Sequence, residues 1–152
     1  MSVRPLRAEE VPALAAELSR LPLMARYGRT ADALGRDLRD ALGRGEGLLA
    51  WDEGGDARGL AWFLRGGTFG LGAYLKLIAL APGAQGAGAG AALLAAFEAE
   101  AAGAGRHAFL LVSDFNAGAQ RFYERHGWTR VGPLPALVRP DVDEIVYWKR
   151  LR

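Results

Sequence analysis

Leu80-Ala81-Pro82-Gly83-Ala84-Gln85-Gly86-Ala87-Gly88-Ala89-Gly90 joins an apolar stretch, Ala73–Leu80, to an alanine-rich one running to Ala102. The first reads as a largely buried strand. The second reads as a helix opening near Gly86, with Leu93 or Leu94, Phe97 and Ala101 turned inward and Gly103 closing it. Successive amides at such a helix start point at a common centre, and the helix dipole adds positive potential there. Glycine lets an anion come close and permits positive φ. This is the chemistry of a diphosphate site, although a plain flexible loop is the bland alternative in a chain with 21 glycines. A P-loop is excluded, because no Lys-Ser/Thr pair follows. Gly86, Gly88 and Ala91 do satisfy the dinucleotide pattern G-x-G-x-x-A, with Asp114 ending the next strand. Against that, residues including Pro82 separate the strand from the first glycine, and about forty residues after Asp114 leave no room for a second mononucleotide half.

Upstream of the turn, Ser2–Leu6 reads as a strand and Ala8–Arg20 as a helix with Val11, Leu14 and Leu18 on one face. Leu21–Arg29 has no regular pattern. Thr30 can cap a helix whose inner face is Leu34, Leu38 and Leu42, ended by Gly43. Gly47–Asp52 and Arg58–Arg65 read as a hairpin around Glu53-Gly54-Gly55-Asp56. Downstream, Ala108–Val112 is an unbroken apolar run, as expected of a strand buried on both faces. Asn116–His126 reads as a short helix, and Trp128–Val131 and Glu144–Lys149 as strands. Pro133–Asp143, with three prolines, reads as the longest loop. The order β-α-α-β-β-β-α-β-α-β-β predicts an α/β (α+β) fold, with a mixed sheet and helices on its faces.

Composition bounds the function classes. The chain has 152 residues, 51% hydrophobic and 24% charged, and reads as one domain over 1–152. Its net charge of +2, without a basic run, gives no nucleic-acid footprint. There is no cysteine, which removes disulfides, thiolate metal sites and a covalent Cys-acyl intermediate. His107 and His126 are too few for a zinc cluster, so no metal is expected. Met1–Glu10 carries Arg4, Arg7, Glu9 and Glu10 rather than a signal-peptide pattern. The longest lysine-free apolar run, Leu77–Ala84, is short of the roughly 20 residues of a membrane helix. No membrane association is expected, and the expected location is the cytoplasm.

A second segment reinforces the first: Leu111-Val112-Ser113-Asp114-Phe115-Asn116-Ala117-Gly118-Ala119-Gln120-Arg121-Phe122-Tyr123-Glu124-Arg125-His126-Gly127-Trp128. Together the two resemble the GNAT superfamily of acyl-CoA-dependent N-acetyltransferases. The central motif of that superfamily is Gln/Arg-x-x-Gly-x-Gly/Ala opening a helix, matched here by Gln85 to Gly90. Its other signature is matched by Asn116, Ala119, Phe122, Tyr123, Gly127 and Trp128. The resemblance is detailed from Leu77 to Trp128 and extends in element order over the chain. It implies a largely antiparallel sheet of six to seven strands, with one parallel pair, Ala73–Leu80 beside Ala108–Val112, splayed at its C-terminal ends.

The resemblance further implies acetyl-CoA as co-substrate. Its pantetheine arm would bond the backbone of Ile78 and Leu80, and its diphosphate the amides of Gln85, Gly86, Ala87, Gly88, Ala89 and Gly90. Asn116, Ala119 and Tyr123 complete the cofactor set. Phe122 and Trp128 read as core. A backbone N–H near Ile78 would stabilise the oxyanion, and Tyr123 is the candidate general acid toward the leaving thiolate. Some family members carry a Glu where this chain has Tyr74, so the base is sought elsewhere. Glu144 is preferred over Asp114 or a water chain, with a solvated strand end as its plain alternative. Arg121 and Arg125 read as a solvated helix face, with a nucleotide phosphate contact as the alternative.

The acceptor pocket is expected from Leu21–Arg29, the strand near Trp62 and Phe63, and the loop Pro133–Asp143, with Met24, Tyr27 and Trp62 lining it. The expected partner is a small-molecule amine or a peptide amine, and a homodimer is left open. Nothing reads as an acidic trap for a polycation. The rival functions are a non-catalytic acyl-CoA sensor and, more distantly, a nucleotide-dependent oxidoreductase.

Overall fold

The computed structural model describes residues 1–84, 86 and 88–152. Gln85 and Ala87 lie outside the described residues. The elements run β1 (Ser2–Pro5), α1 (Val11–Leu18, after a 3-10 turn), α2 (Pro22–Arg26), α3 (Ala31–Gly43), β2 (Gly47–Glu53), β3 (Asp56–Thr68) and β4 (Gly72–Leu80). They continue with α4 (Ala89–Ala104), β5 (His107–Ser113), α5 (Ala117–Arg125), β6 (Thr129–Arg139) and β7 (Val142–Arg150). The strands form one seven-stranded sheet in the order β1-β2-β3-β4-β5-β7-β6. β4 and β5 pair parallel, and the other neighbours pair antiparallel. The mixed sheet with a single parallel pair is the architecture expected from the sequence.

Two cores, one on each sheet face, follow from the alternation of side chains along the strands. Phe63, Leu75, Leu110, Ile145 and Tyr147 pack against α4 through Leu93, Leu94 and Phe97. On the other face Leu48, Leu60 and Trp62 pack against α1 and α3 through Leu14, Leu18, Leu34 and Leu38. Each fully buried Leu or Phe here contributes roughly 1.5–3 kcal/mol. Thr30 caps α3 as expected, its hydroxyl oxygen accepting from the Ala33 N–H at 3.1 Å.

Three expectations are corrected. Pro22–Arg26 is a short helix inside the segment read as irregular. It is five residues long, too short for a periodic signal, and has its proline at the first helical turn, where no N–H is needed. Helix α4 begins at Ala89 rather than Gly86, because Gly86 (φ +86°) and Gly88 (φ +75°) occupy the left-handed region, which no α-helix contains. Pro133–Asp143 is not a loop: β6 continues to Arg139 as a sheet edge paired with β7. Proline is admitted on an edge strand because its missing N–H can face solvent.

The feature that positions the site is the end of the β4–β5 ladder. Pairing runs from Gly72↔His107 to Leu75↔Leu110 and stops. Lys76–Leu80 stays paired to β3 on its other side through Leu77–Leu80, and Leu111–Ser113 stays paired to β7. The two strands therefore splay apart at their C-terminal ends.

Candidate active site

Two cavities meet at this gap. The larger, about 840 Å³, is lined by Ile78, Ala79 and Leu80 of β4, Gly90 of α4, and Phe115, Asn116, Gly118, Ala119, Phe122 and Tyr123 of the α5 region. The smaller, about 410 Å³, is lined by Tyr74, Lys76 and Leu77 of β4, and by Trp62, Leu111, Ser113 and Glu144. β4 thus passes from one cavity to the other between Leu77 and Ile78. Leu23 and Met24 of α2 line both.

In the larger cleft Asn116 is the N-cap of α5, its Oδ1 accepting from the Ala119 N–H at 3.1 Å. Tyr123 is buried, and that burial pushes its phenol well above the ordinary value, so it stays protonated through neutral and mildly alkaline pH. Phe122, expected in the core, is half-buried and lines the cleft opposite Gly90, where a Cβ would lie 3.6 Å from its ring. Gly86 and Gly88 are exposed just before α4, with no heavy atom within 4 Å of an added Cβ. Their left-handed backbone and open surroundings fit a group that approaches the main chain. Ala89 is buried in the core, main chain included. Two cations, Arg26 and Arg125, also line the cleft, with the Arg26 guanidinium 3.5 Å above the Phe115 ring. Arg121 does not line it.

The smaller cavity brings together the three side chains expected to line the acceptor pocket and the candidate base. Met24, Tyr27 and Trp62 line it together with Glu144. Glu144 is buried at 6% exposure, opposite Ser113 in the β5–β7 register. The Tyr27 hydroxyl donates to Glu144 Oε2 at 2.6 Å and lies 2.5 Å from Ser113 Oγ. Burial, and next the bond to Glu144, raise the Tyr27 phenol. Burial also raises that of Tyr74, with the charge of Glu144 adding to it. Phe63 faces the opposite core, as alternation beside Trp62 requires. Of the segment expected as a loop, Val138 reaches this cavity.

Sequence reasoning passed over Ser113, Lys76 and the side chain of Arg29. Ser113 had a signal, since it is the polar residue that ends an otherwise apolar strand. Arg29 had none, because its role depends on where α2 carries it.

The acetyltransferase (GNAT) family model matches residues 14–128, more than half of the chain. This chain belongs to the GNAT acetyltransferase family. Solved GNAT structures share the fold end to end. A GNAT-family protein from Desulfovibrio desulfuricans superposes with a TM-score of 0.80 at 25% identity, covering 99% of each chain. Ribosomal-protein-alanine N-acetyltransferase from Brucella melitensis superposes with a TM-score of 0.78 at 18% identity, again over 99% of each. An aminoglycoside 6'-N-acetyltransferase complexed with coenzyme A gives a TM-score of 0.81 at 17% identity, covering 100% of this chain and 98% of that one. No curated protein sequence matches the chain. Among the described residues no helix is long and apolar enough to cross a membrane.

Proposed function

We propose that this chain transfers an acetyl group from acetyl-CoA to a primary amine by direct attack in a ternary complex. The observation that carries this reading is the junction of the two cavities where β4 and β5 part. An elongated thiol ester in the larger cleft and an amine in the smaller would meet beside Leu77 and Ile78. The larger cleft suits acetyl-CoA in three ways. Exposed left-handed glycines stand just before α4, whose Gly90 lines the cleft, two arginines line it, and β4 is available beyond its last pairing with β5 for a ligand arm alongside Ile78.

The roles divide between the cavities. Gly86, Gly88 and Gly90 would give main-chain N–H groups to the diphosphate, with Ala89 buried between them; Gln85 and Ala87 of the same motif lie outside the described residues. Asn116 would hold the arm while capping α5. A backbone N–H near Ile78 would donate to the developing oxyanion. Tyr123, kept protonated by burial, would give its proton to the departing thiolate. Glu144 would take the proton of the attacking amine, oriented by its bond from Tyr27. The chain has no cysteine to carry the acyl group, which agrees with direct transfer.

The test is a thermal shift with acetyl-CoA against NADH and NADPH. Stabilisation of several degrees by acetyl-CoA alone is expected. Stabilisation by a nicotinamide nucleotide and not by acetyl-CoA would overturn the assignment of the larger cleft.

A further inference from the structure

The acceptor cavity contains more positive than negative charge. Among the described residues, its charged lining consists of Arg29, Lys76 and Glu144, two cations against one carboxylate. Glu144 is already engaged by Tyr27 and Ser113. Arg29 is not fully used. One guanidinium nitrogen donates to Asp37 Oδ2 at 2.8 Å, in a pair where both side chains are a third or more exposed. Its Nε, in contrast, is buried and without a hydrogen-bond partner. Lys76 holds its ammonium 4.1 Å from the centroid of the Trp62 ring, on the cavity wall. Its anionic neighbour is Glu46, which is itself bonded to Arg44 and to the Trp62 N–H.

A buried donor left unpaired is costly, and a cationic one more so. A substrate carboxylate set against the part of Arg29 that lines the cavity would offset the charge this nitrogen belongs to. We infer that the acceptor is a small apolar amino acid, its amine directed to Glu144 and its carboxylate to Arg29 and Lys76. This names the substrate class for the acetyl-transfer reading and rests on it for the fate of the amine. The rest of the wall, Leu23, Met24, Leu34, Leu77, Leu111 and Val138, is apolar and suits a hydrocarbon side chain. A polycation is disfavoured, since every further ammonium would meet Arg29 or Lys76. Charged hydrogen bonds of this kind discriminate by about 10- to 100-fold.

The experiment compares leucine, methionine and phenylalanine with their amides and decarboxylated amines. Two readouts are taken: kcat/KM from CoA release, and quenching of tryptophan fluorescence in the presence of CoA, to which Trp62 in the cavity wall contributes. The carboxylates are expected to be favoured by at least about tenfold in one or both readouts. Arg29→Gln should lower that preference about tenfold or more, Lys76→Gln should lower it less, and Arg29→Lys should restore part of it. Lys76 is exposed, so Lys76→Gln serves as the folded variant if Arg29→Gln is unstable. CoA release with no carboxylate preference overturns this inference and leaves acetyl transfer standing. Carboxylate-selective quenching without CoA release does the reverse. Neither binding nor turnover of any carboxylate overturns it as well.

Discussion

Gly88→Ala distinguishes a cofactor cradle from an ordinary glycine-rich loop. Gly88 sits at φ +75°, and an added Cβ would meet nothing within 4 Å. The substitution therefore clashes with no part of the protein, and its cost is conformational, about 1–2 kcal/mol for holding alanine in the left-handed region. Gly88 is exposed, so alanine there can leave the left-handed region in the free protein at little cost in contacts. Holding a diphosphate against this backbone would restore the strain, so the penalty falls on binding. At 1.4 kcal/mol per tenfold, the acetyl-CoA Kd should rise roughly 5- to 30-fold. Gly54→Ala is the matched control. Gly54 has φ +61° with equally open surroundings, but lies in the β2–β3 turn, away from the start of α4. Isothermal titration with acetyl-CoA, paired with thermal denaturation, measures both effects. Wild-type affinity in Gly88→Ala, or equal weakening in Gly54→Ala, would refute the cradle.

Other perturbations address chemistry and fold separately. Tyr123→Phe is expected to lower kcat tenfold or more in steady-state assays, with the acetyl-CoA Kd little changed; an unchanged kcat removes Tyr123 from the mechanism. Glu144→Gln keeps the side-chain shape and the bond from Tyr27 but removes the charge, so kcat/KM should fall about 10²-fold across the pH–rate profile. A profile matching wild type would eliminate Glu144 as the base. Gly72→Ala would place a Cβ 2.5 Å from the His107 carbonyl oxygen at the start of the β4–β5 ladder. Chemical denaturation should find a loss of about 1–3 kcal/mol. The folded state raises all four tyrosines, so an unfolded chain releases phenolic protons first as pH climbs. Their stabilising contribution is complete below the ordinary phenol value of 10.0 and is lost above it, and Tyr123→Phe should flatten that alkaline fall.

The parts of the site that were legible in the sequence are those carried by local pattern. β5 announced itself as an apolar run, but only one face is buried as that run suggested: Ala108, Leu110 and Val112 lie in the core, while Phe109 and Leu111 are half-buried. Asn116 and Tyr123 were singled out by the family resemblance, and both line the larger cleft. The splay of β4 from β5 followed from family resemblance, and the pairing ends at Leu75↔Leu110. Less legible was whatever depends on the path of the chain between elements. Prolines at 133 and 135 read as a loop, yet an edge strand accommodates them. Phe122 read as core because helical periodicity separates inner from outer faces, not core from cleft. The Arg29 side chain gave no sequence signal, since its partners Asp37 and the cavity wall are brought to it only by the docking of α2 and α3 on the sheet.

The most direct measurement of the central claim is CoA release from acetyl-CoA across a panel of primary amines, with the mass of each product determined. The account predicts CoA release that depends on the added amine, a product 42 mass units heavier (~42, the replacement of one hydrogen by an acetyl group in the direct transfer argued above), and no acetylated enzyme. Tight binding of acetyl-CoA without amine-dependent release from any member of the panel would contradict it, and would make the chain an acyl-CoA sensor.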